Sequence, residues 1–294
     1  MPRTCFILNP NAGPNRRLDL PALLARHLGG RPELDYAVRP TQHAGHAVAL
    51  ARQAAREGFR VVVAVGGDGT INEVGRGLLG TGAALGIVPQ GSGNGLARHL
   101  KVPLNVPAAL RRLRAPAFSR MDVGFINEQP FFCTAGLGFD AHVSQHFALA
   151  GTRGLPTYVR VALREYRRYR PVPVTVRLGA GAGGTRLETD CYVMAFANAS
   201  QYGNNAYIAP QADLRDGLLD VCLIDALPLS RALRVGLALG LGNLPGTQAA
   251  AYHQTAQAHI TAAAPLGYHA DGDYLGHATE FDVSISPLAL EVAI

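Results

Sequence analysis

The run Val61-Val62-Val63-Ala64-Val65, followed at once by Gly66-Gly67-Asp68-Gly69-Thr70, limits the fold more than any other feature of this chain. An uninterrupted apolar run rich in β-branched residues does not suit a strand with one wet face. It suits a strand covered on both faces, as in a parallel sheet under helices. The glycines allow the sharp reversal that ends such a strand. Residues 70–79 then read as a helix. The same alternation recurs on either side. Cys5-Phe6-Ile7-Leu8, Tyr36-Ala37-Val38 and Leu85-Gly86-Ile87-Val88 read as further strands. Residues 17–28, 43–57 and 94–100 read as helices, the second with Ala44, Ala47, Val48, Ala51 and Ala55 on one face. The expectation for residues 1–122 is an α/β domain with a doubly wound parallel sheet.

Beyond residue 122 strand-like segments follow one another, at 131–137, 172–178, 190–197, 218–224, 257–262, 280–286 and 288–293. Helical inserts near 155–169 and 229–240 interrupt them, and residues 179–184 read as a hairpin turn. Residues 123–287 are therefore expected to form a second, antiparallel β-sandwich domain.

Composition narrows the function classes. The 294 residues are 48% hydrophobic and 16% charged, which gives enough apolar material for packed cores. Residues 1–122 carry 16 Lys/Arg against 7 Asp/Glu, and the remainder carries 11 against 14. A basic first half suits a polyanionic ligand or an anionic membrane surface. Cys5, Cys133, Cys191 and Cys222 have neither zinc nor redox spacing and read as buried thiols in a reducing compartment. No stretch approaches the roughly 18 apolar residues of a spanning helix. No basic, apolar-cored leader opens the chain. The expectation is a cytoplasmic protein whose membrane contact is peripheral.

Ligands of open parallel sheets bind at the carboxyl ends of the strands. Three such ends here carry Asn9-Pro10-Asn11-Ala12-Gly13, Gly66-Gly67-Asp68-Gly69-Thr70-Ile71-Asn72-Glu73 and Pro89-Gln90-Gly91-Ser92-Gly93-Asn94-Gly95. Glycine brings backbone N–H groups close to an anion, and the following helix adds its positive end. Thr70 and Ser92 can cap those helices or donate to phosphate. Asp68 would repel phosphate unless it serves a cation, a ribose hydroxyl or a water. One such turn is weak evidence; three on one sheet edge point to a nucleotide. Neither G-x-G-x-x-G nor G-x-x-x-x-G-K-[ST] occurs at these turns, which disfavours a dehydrogenase or a P-loop ATPase.

These loops, together with Gly136-Leu137-Gly138-Phe139-Asp140-Ala141, Asp216-Gly217-Leu218-Leu219-Asp220 and Asp271-Gly272-Asp273, resemble the diacylglycerol kinase catalytic-domain family. That family includes bacterial soluble lipid kinases and the sphingosine kinases. The resemblance implies a nucleotide domain, a β-sandwich, a lipid cleft between them, and a last strand (288–294) that returns to the first domain. ATP would be held by residues 9–13, Thr41, residues 66–73 and Ser92. A structural Mg²⁺ would lie at Asp213, Asp216 and the carbonyl of Leu218, where the residues alone favour a simple Asp-Gly turn. Catalytic Mg²⁺ would be anchored by Asp68. Asp273 stands where the family has a glutamate acting as general base, so its carboxylate is one methylene shorter. The residues alone read Asp271-Gly272-Asp273 as a hairpin turn.

The implied partner is a diacylglycerol-like lipid at a membrane surface, with no nucleic acid, and homodimerisation is left open. A sphingoid-base or ceramide kinase is the alternative, since Gly91-Ser92-Gly93-Asn94 resembles the sphingosine-kinase loop. An NAD kinase shares the Gly-Gly-Asp-Gly-Thr turn but not the rest of the series, and a non-catalytic nucleotide or lipid sensor is the third reading. Three features stay outside this scheme. Arg160, Arg164, Arg167, Arg168 and Arg170 read as a solvated helix face that could also meet lipid headgroups. His142 and His146 are spaced for one helix face, without a third metal ligand in view. Arg98 is balanced between a phosphate and a backbone carbonyl.

Overall fold

The continuous apolar runs do form inner strands. In the computed structural model, which describes residues 2–13, 19–28, 35–151, 154–179 and 184–294, the chain divides into two compact units. One comprises Met1–Met121 with Leu288–Ile294, the other Asp122–Pro287.

The first unit contains β1 (Thr4–Leu8), α1 (Leu20–Leu28), β2 (Tyr36–Pro40), α2 (His46–Arg56), β3 (Val61–Gly66), α3 (Asp68–Leu78), β4 (Ala84–Pro89), α4 (Gly95–His99) and α5 (Val106–Arg112). Strands pair in parallel in the order β2-β1-β3-β4. Every residue of β3 and β4 is buried, as burial on two faces requires. The end of the chain adds a further parallel strand, with Val292 opposite Leu85 and Ala293 opposite Gly86. Ala117 and Ile294 exchange both backbone hydrogen bonds beside it.

Helix α2 starts at His46, so Ala44 lies outside it. Its buried face is Ala47, Ala51 and Ala54, rotated towards Ala54 and away from Val48 and Ala55. Helix α3 packs on it so tightly that a Cβ on Gly77 would stand 2.6 Å from the carbonyl oxygen of Val48. Helix α5 is not announced by the sequence pattern. Asn105 caps it by accepting from the N–H of Ala108, with Pro107 in its first turn.

The second unit is antiparallel. It holds most of β5 (Phe118–Ile126), then β6 (Gln129–Phe131), β7 (Thr134–Gly138), α6 (Phe139–Leu149), α7 (Leu155–Tyr166), β8 (Val172–Leu178), β9 (Thr185–Cys191), β10 (Val193–Ala197), β11 (Leu219–Ile224), α8 (Leu229–Leu241), β12 (Ala250–Thr255), β13 (Gln257–Ala270) and most of β14 (Asp273–Ala293). Strand β13 joins the two layers. Its residues Ala258–Ala262 pair with β8, and Tyr268–Ala270 pair with β7. The interior between them is filled by Phe131, Phe196, Met194, Val221, Ile260 and Phe281. The hairpin turn expected at 179–184 lies mostly outside the described residues; its flanks Leu178 and Thr185 do pair.

Three expectations need correction. The segments 280–286 and 288–293 belong to one strand, β14, whose Pro287 and Leu288 (φ 49°) mark the passage between the units. The segment 190–197 is two strands separated by Tyr192. A third helix, α6, follows β7 directly at Gly138 (φ 98°), a conformation that a side chain would strain.

Candidate functional site

The three glycine-rich loops meet at the carboxyl edge of the parallel sheet. Asn9 donates from Nδ2 to Thr70 Oγ1 at 3.0 Å, and its N–H donates to the carbonyl of Val65. The N–H of Gln90 donates to the carbonyl of Gly66 at 2.7 Å. The loops touch backbone to backbone. A Cβ on Gly91 would lie 2.7 Å from the Cα of Gly67, and one on Gly13 would lie 2.6 Å from the carbonyl oxygen of Gln90. A Cβ on Gly66 would collide with the Thr70 side chain at 2.5 Å. Glycine is therefore required at these places by close approach, leaving backbone where side chains would otherwise stand. The rim is accessible: Pro10, Asn11, Gly69 and Ser92 are exposed, while Thr70, Ile71 and Asn72 are buried in α3.

The acids of the second loop have partners that spacing did not reveal. Both Asp68 oxygens accept from the start of α4, from the N–H of Asn94 at 2.8 Å and of Gly95 at 2.7 Å. Glu73, one turn on, accepts from the N–H groups of Gly45 (2.8 Å) and Ala47 (3.1 Å) at the start of α2. Neither α2 nor α4 has a side-chain cap of its own. Helix α3 thus supplies carboxylate caps to both neighbours, each satisfying orphan N–H groups and opposing a positive helix end. Thr41 is held by its N–H to the carbonyl of Leu8. Arg98 donates from Nε to the carbonyl of Gly93 at 2.9 Å, which places it on the loop carbonyl.

In the second unit, Asp271 and Gly272 form a two-residue hairpin between β13 and β14. Both have positive φ, at 48° and 86°, the chemistry Asp-Gly serves best. The carboxylate of Asp271 accepts three backbone N–H groups, from Phe132, Cys133 and Thr134, at 2.8–3.1 Å. Asp273, the first residue of β14, is exposed. Behind the turn is a buried polar group that motif reading left without a role. The N–H of Gly272 meets His269 Nδ1 at 3.3 Å, His269 Nε2 meets Asp140 Oδ2 at 3.2 Å, and the Tyr202 hydroxyl donates to the same oxygen at 3.1 Å. With Nδ1 accepting, the Nε2–H donates to Asp140, which fixes the tautomer. Asp140 was visible as part of the Gly136–Ala141 motif; His269, 129 residues away, was not.

The loop at Asp213 to Leu218 makes local turns. Asp213 accepts from the N–H of Arg215 and Asp216 from that of Leu218. Gly217 (φ 72°) donates its N–H to the fully buried Asp122 at 2.8 Å. Burial pushes the Asp220 carboxyl up from its ordinary value; Gln254 pulls it back and the charge of Asp216 adds to the rise. The oxygen-only donor set of Asp213, Asp216 and the Leu218 carbonyl fits a hard cation. The crowding of carboxylates gives such a cation something to offset.

Residues 3–126 match the diacylglycerol kinase catalytic domain, and residues 133–294 match the YegS C-terminal NAD kinase beta sandwich-like domain. The chain belongs to the diacylglycerol kinase catalytic-domain family. Among relatives of this family member, a "Probable lipid kinase YegS-like" from Pseudomonas aeruginosa is 31% identical over 277 residues, 92% of this chain and 87% of that protein. A "Diacylglycerol kinase" from Mycobacterium tuberculosis is 28% identical over 83% of this chain and 79% of its own. A "Probable lipid kinase YegS-like" from Chromohalobacter salexigens is 34% identical, and the match spans 61% of that relative's length. The fold is similar to that of a diacylglycerol kinase from Bacillus anthracis, at TM-score 0.72 and 19% identity over 99% of this chain and 96% of that one. It is less similar to an NAD kinase from Archaeoglobus fulgidus solved with ATP, at TM-score 0.52 and 14% identity over 98% and 92%.

Proposed function

We propose that this lipid kinase family member transfers the γ-phosphoryl group of ATP to a hydroxyl of a diacylglycerol-like lipid at the cytoplasmic face of a membrane. The observation that carries the reading is the close meeting of three loops at one sheet edge, Gly91 against Gly67 and Gly13 against the Gln90 carbonyl. It leaves backbone where a polyphosphate needs room. Phosphoryl transfer asks mainly for positioning and charge stabilisation. The loops supply position through the Asn9–Thr70 bond and the two α3 carboxylate caps. Bound Mg²⁺ would supply neutralisation of phosphate charge; Asp68 would help to hold it, and Asp213, Asp216 and the Leu218 carbonyl would hold a second, structural ion.

Asp273 accepts the proton of the lipid hydroxyl as its oxygen attacks. Its backbone is set by the Asp271 bonds and by the His269–Asp140 pair behind Gly272. Membrane contact is supported by α8. Leu229, Leu233, Leu237 and Leu241 form one ridge whose exposure rises from 37% to 81% towards the helix end. Arg231 and Arg234 on the same helix complement anionic headgroups.

The test is transfer from γ-labelled ATP to total lipid extract, with identification of the labelled product. The expected product is a phosphorylated diacylglycerol-like lipid, formed by the wild type and lost in Asp273→Asn. A labelled sphingoid base or ceramide would redirect the acceptor. ATP binding with no labelled lipid from the wild type would defeat the kinase reading and favour a sensor.

A further inference from the structure

Helices α6 and α7 bring together a set of groups that phosphoryl transfer does not use. His142 and His146 lie one turn apart on α6, and Glu165 projects from α7. His142 Nε2 is 3.2 Å and His146 Nε2 4.0 Å from the same carboxylate oxygen, Glu165 Oε2. One ligand atom from each residue lies within 4.8 Å of the other two. Among the described residues this is the one group of three His, Cys, Asp or Glu side chains so arranged.

The geometry points to a transition-metal site, and we propose that His142, His146 and Glu165 bind Zn²⁺ or a related ion such as Co²⁺, clipping α6 to α7. Two imidazoles and one carboxylate are a donor set zinc uses, with a fourth position left to water. In a tetrahedral site with bonds of about 2.1 Å, ligand atoms stand roughly 3.4 Å apart. The His142–Glu165 pair is already at that spacing. His146 has to close on Glu165 by about half an ångström, and the two imidazoles, whose ligand atoms stand within 4.8 Å of each other, have to draw together by side-chain rotation.

The surroundings prepare these ligands. His146 Nδ1 is bonded to the carbonyl of His142 at 2.9 Å, so it carries the proton and leaves Nε2 with a lone pair for the ion. Glu165 is only 3% exposed, and Arg164 Nε (2.7 Å) and Arg168 Nη1 (3.5 Å) both address its other oxygen, Oε1. The histidines are about a quarter exposed, at 25% and 29%, which leaves an entry path and room for water. The two guanidinium charges oppose a dication. Affinity is therefore expected below that of a closed four-ligand structural site.

The experiment uses the whole chain, stripped with a chelator and held in excess Mg²⁺ so that carboxylate-only sites are filled. Zn²⁺ is titrated calorimetrically, Co²⁺ by its visible absorption, and thermal melting is followed in parallel. The wild type should take up one equivalent, show tetrahedral Co²⁺ bands and melt higher with metal. His146→Ala should lose the bands and the melting shift while melting like the metal-free wild type. The His142→Ala/His146→Ala double variant sets the background from the other histidines. Should Glu165→Gln fail to fold, the histidine variants still decide. Wild-type uptake equal to that of the double variant, or metal-induced stabilisation surviving in it, overturns the proposal.

Discussion

Replacing Gly91 by alanine adds one methyl group where two loop backbones touch. Its φ lies outside the left-handed region, so alanine can adopt the conformation and the whole effect is steric. The new Cβ would stand 2.7 Å from the Cα of Gly67 and 2.9 Å from Asn94 Oδ1. Ordinary contact begins near 3.4 Å, so the second and third loops must part by roughly 0.7 Å. The Asp68 cap at the start of α4 resists that movement. Overpacking of this kind costs about 1–3 kcal/mol. For a chain of this size that is a fall of roughly 2–10 °C in Tm. A displacement approaching 1 Å at a positioning loop costs up to about 10²-fold in rate. The assay is kcat/KM for labelled-phosphate transfer beside a thermal melt, with Gly240→Ala as the stability control. Gly240 sits in α8 with nothing within 4 Å of a Cβ, so its alanine variant should gain up to about 1 kcal/mol. If Gly91→Ala keeps both the wild-type Tm and the wild-type kcat/KM, the loops do not meet as described and the phosphate-cradle argument fails.

The two acids of the Asp271-Gly272-Asp273 turn should separate in kind. Asp271→Asn keeps the left-handed backbone but turns an amide donor on the N–H of Phe132, costing about 1–3 kcal/mol, so Tm should fall; Asp273→Asn should hold its Tm and lose turnover. Asp220 has a folded pKa raised above its unfolded value, so its contribution to stability is full below the unfolded pKa and lost as pH rises through the folded one. Asp220→Asn should therefore flatten the pH–Tm curve within that window, and saturating Mg²⁺ should narrow the difference between variant and wild type. On α8, Leu237→Ser/Leu241→Ser should weaken sedimentation with anionic vesicles by at least about tenfold, since each buried leucine is worth roughly 1.5–3 kcal/mol, while ATP binding stays unchanged.

Strands buried on both faces were legible because nothing but apolar side chains can occupy them; β3 and β4 are the clearest cases. Strand β5 does alternate, with Met121, Val123 and Phe125 between Arg120, Asp122 and Gly124, but it straddles the boundary between the two units; Asp122 is buried on a bond to Gly217. Helix α6 hid because it follows β7 with no residue between them, Gly138 being the last of the strand. The loop glycines announced a phosphate-like edge, but their partners did not show. Asp68 reaches Asn94 and Gly95, 26 and 27 positions on, and Glu73 reaches back 28 to Gly45. The third group beside His142 and His146 was missed for the same reason, since Glu165 lies on the next helix. Local spacing reports what a residue does to its own turn; capping between helices is a long-range property that only the packed chain displays.

Because α3 holds the entry to α2 with one acid and the entry to α4 with another, the nucleotide edge is not modular. A loop transplanted from a relative would arrive without its clasp, or leave a carboxylate facing no N–H group. Substitutions at Asp68, Glu73, Gly91 and Asn94 should therefore be epistatic, and variants with altered nucleotide preference are better sought by exchanging α3 together with both loops than by changing any one of them.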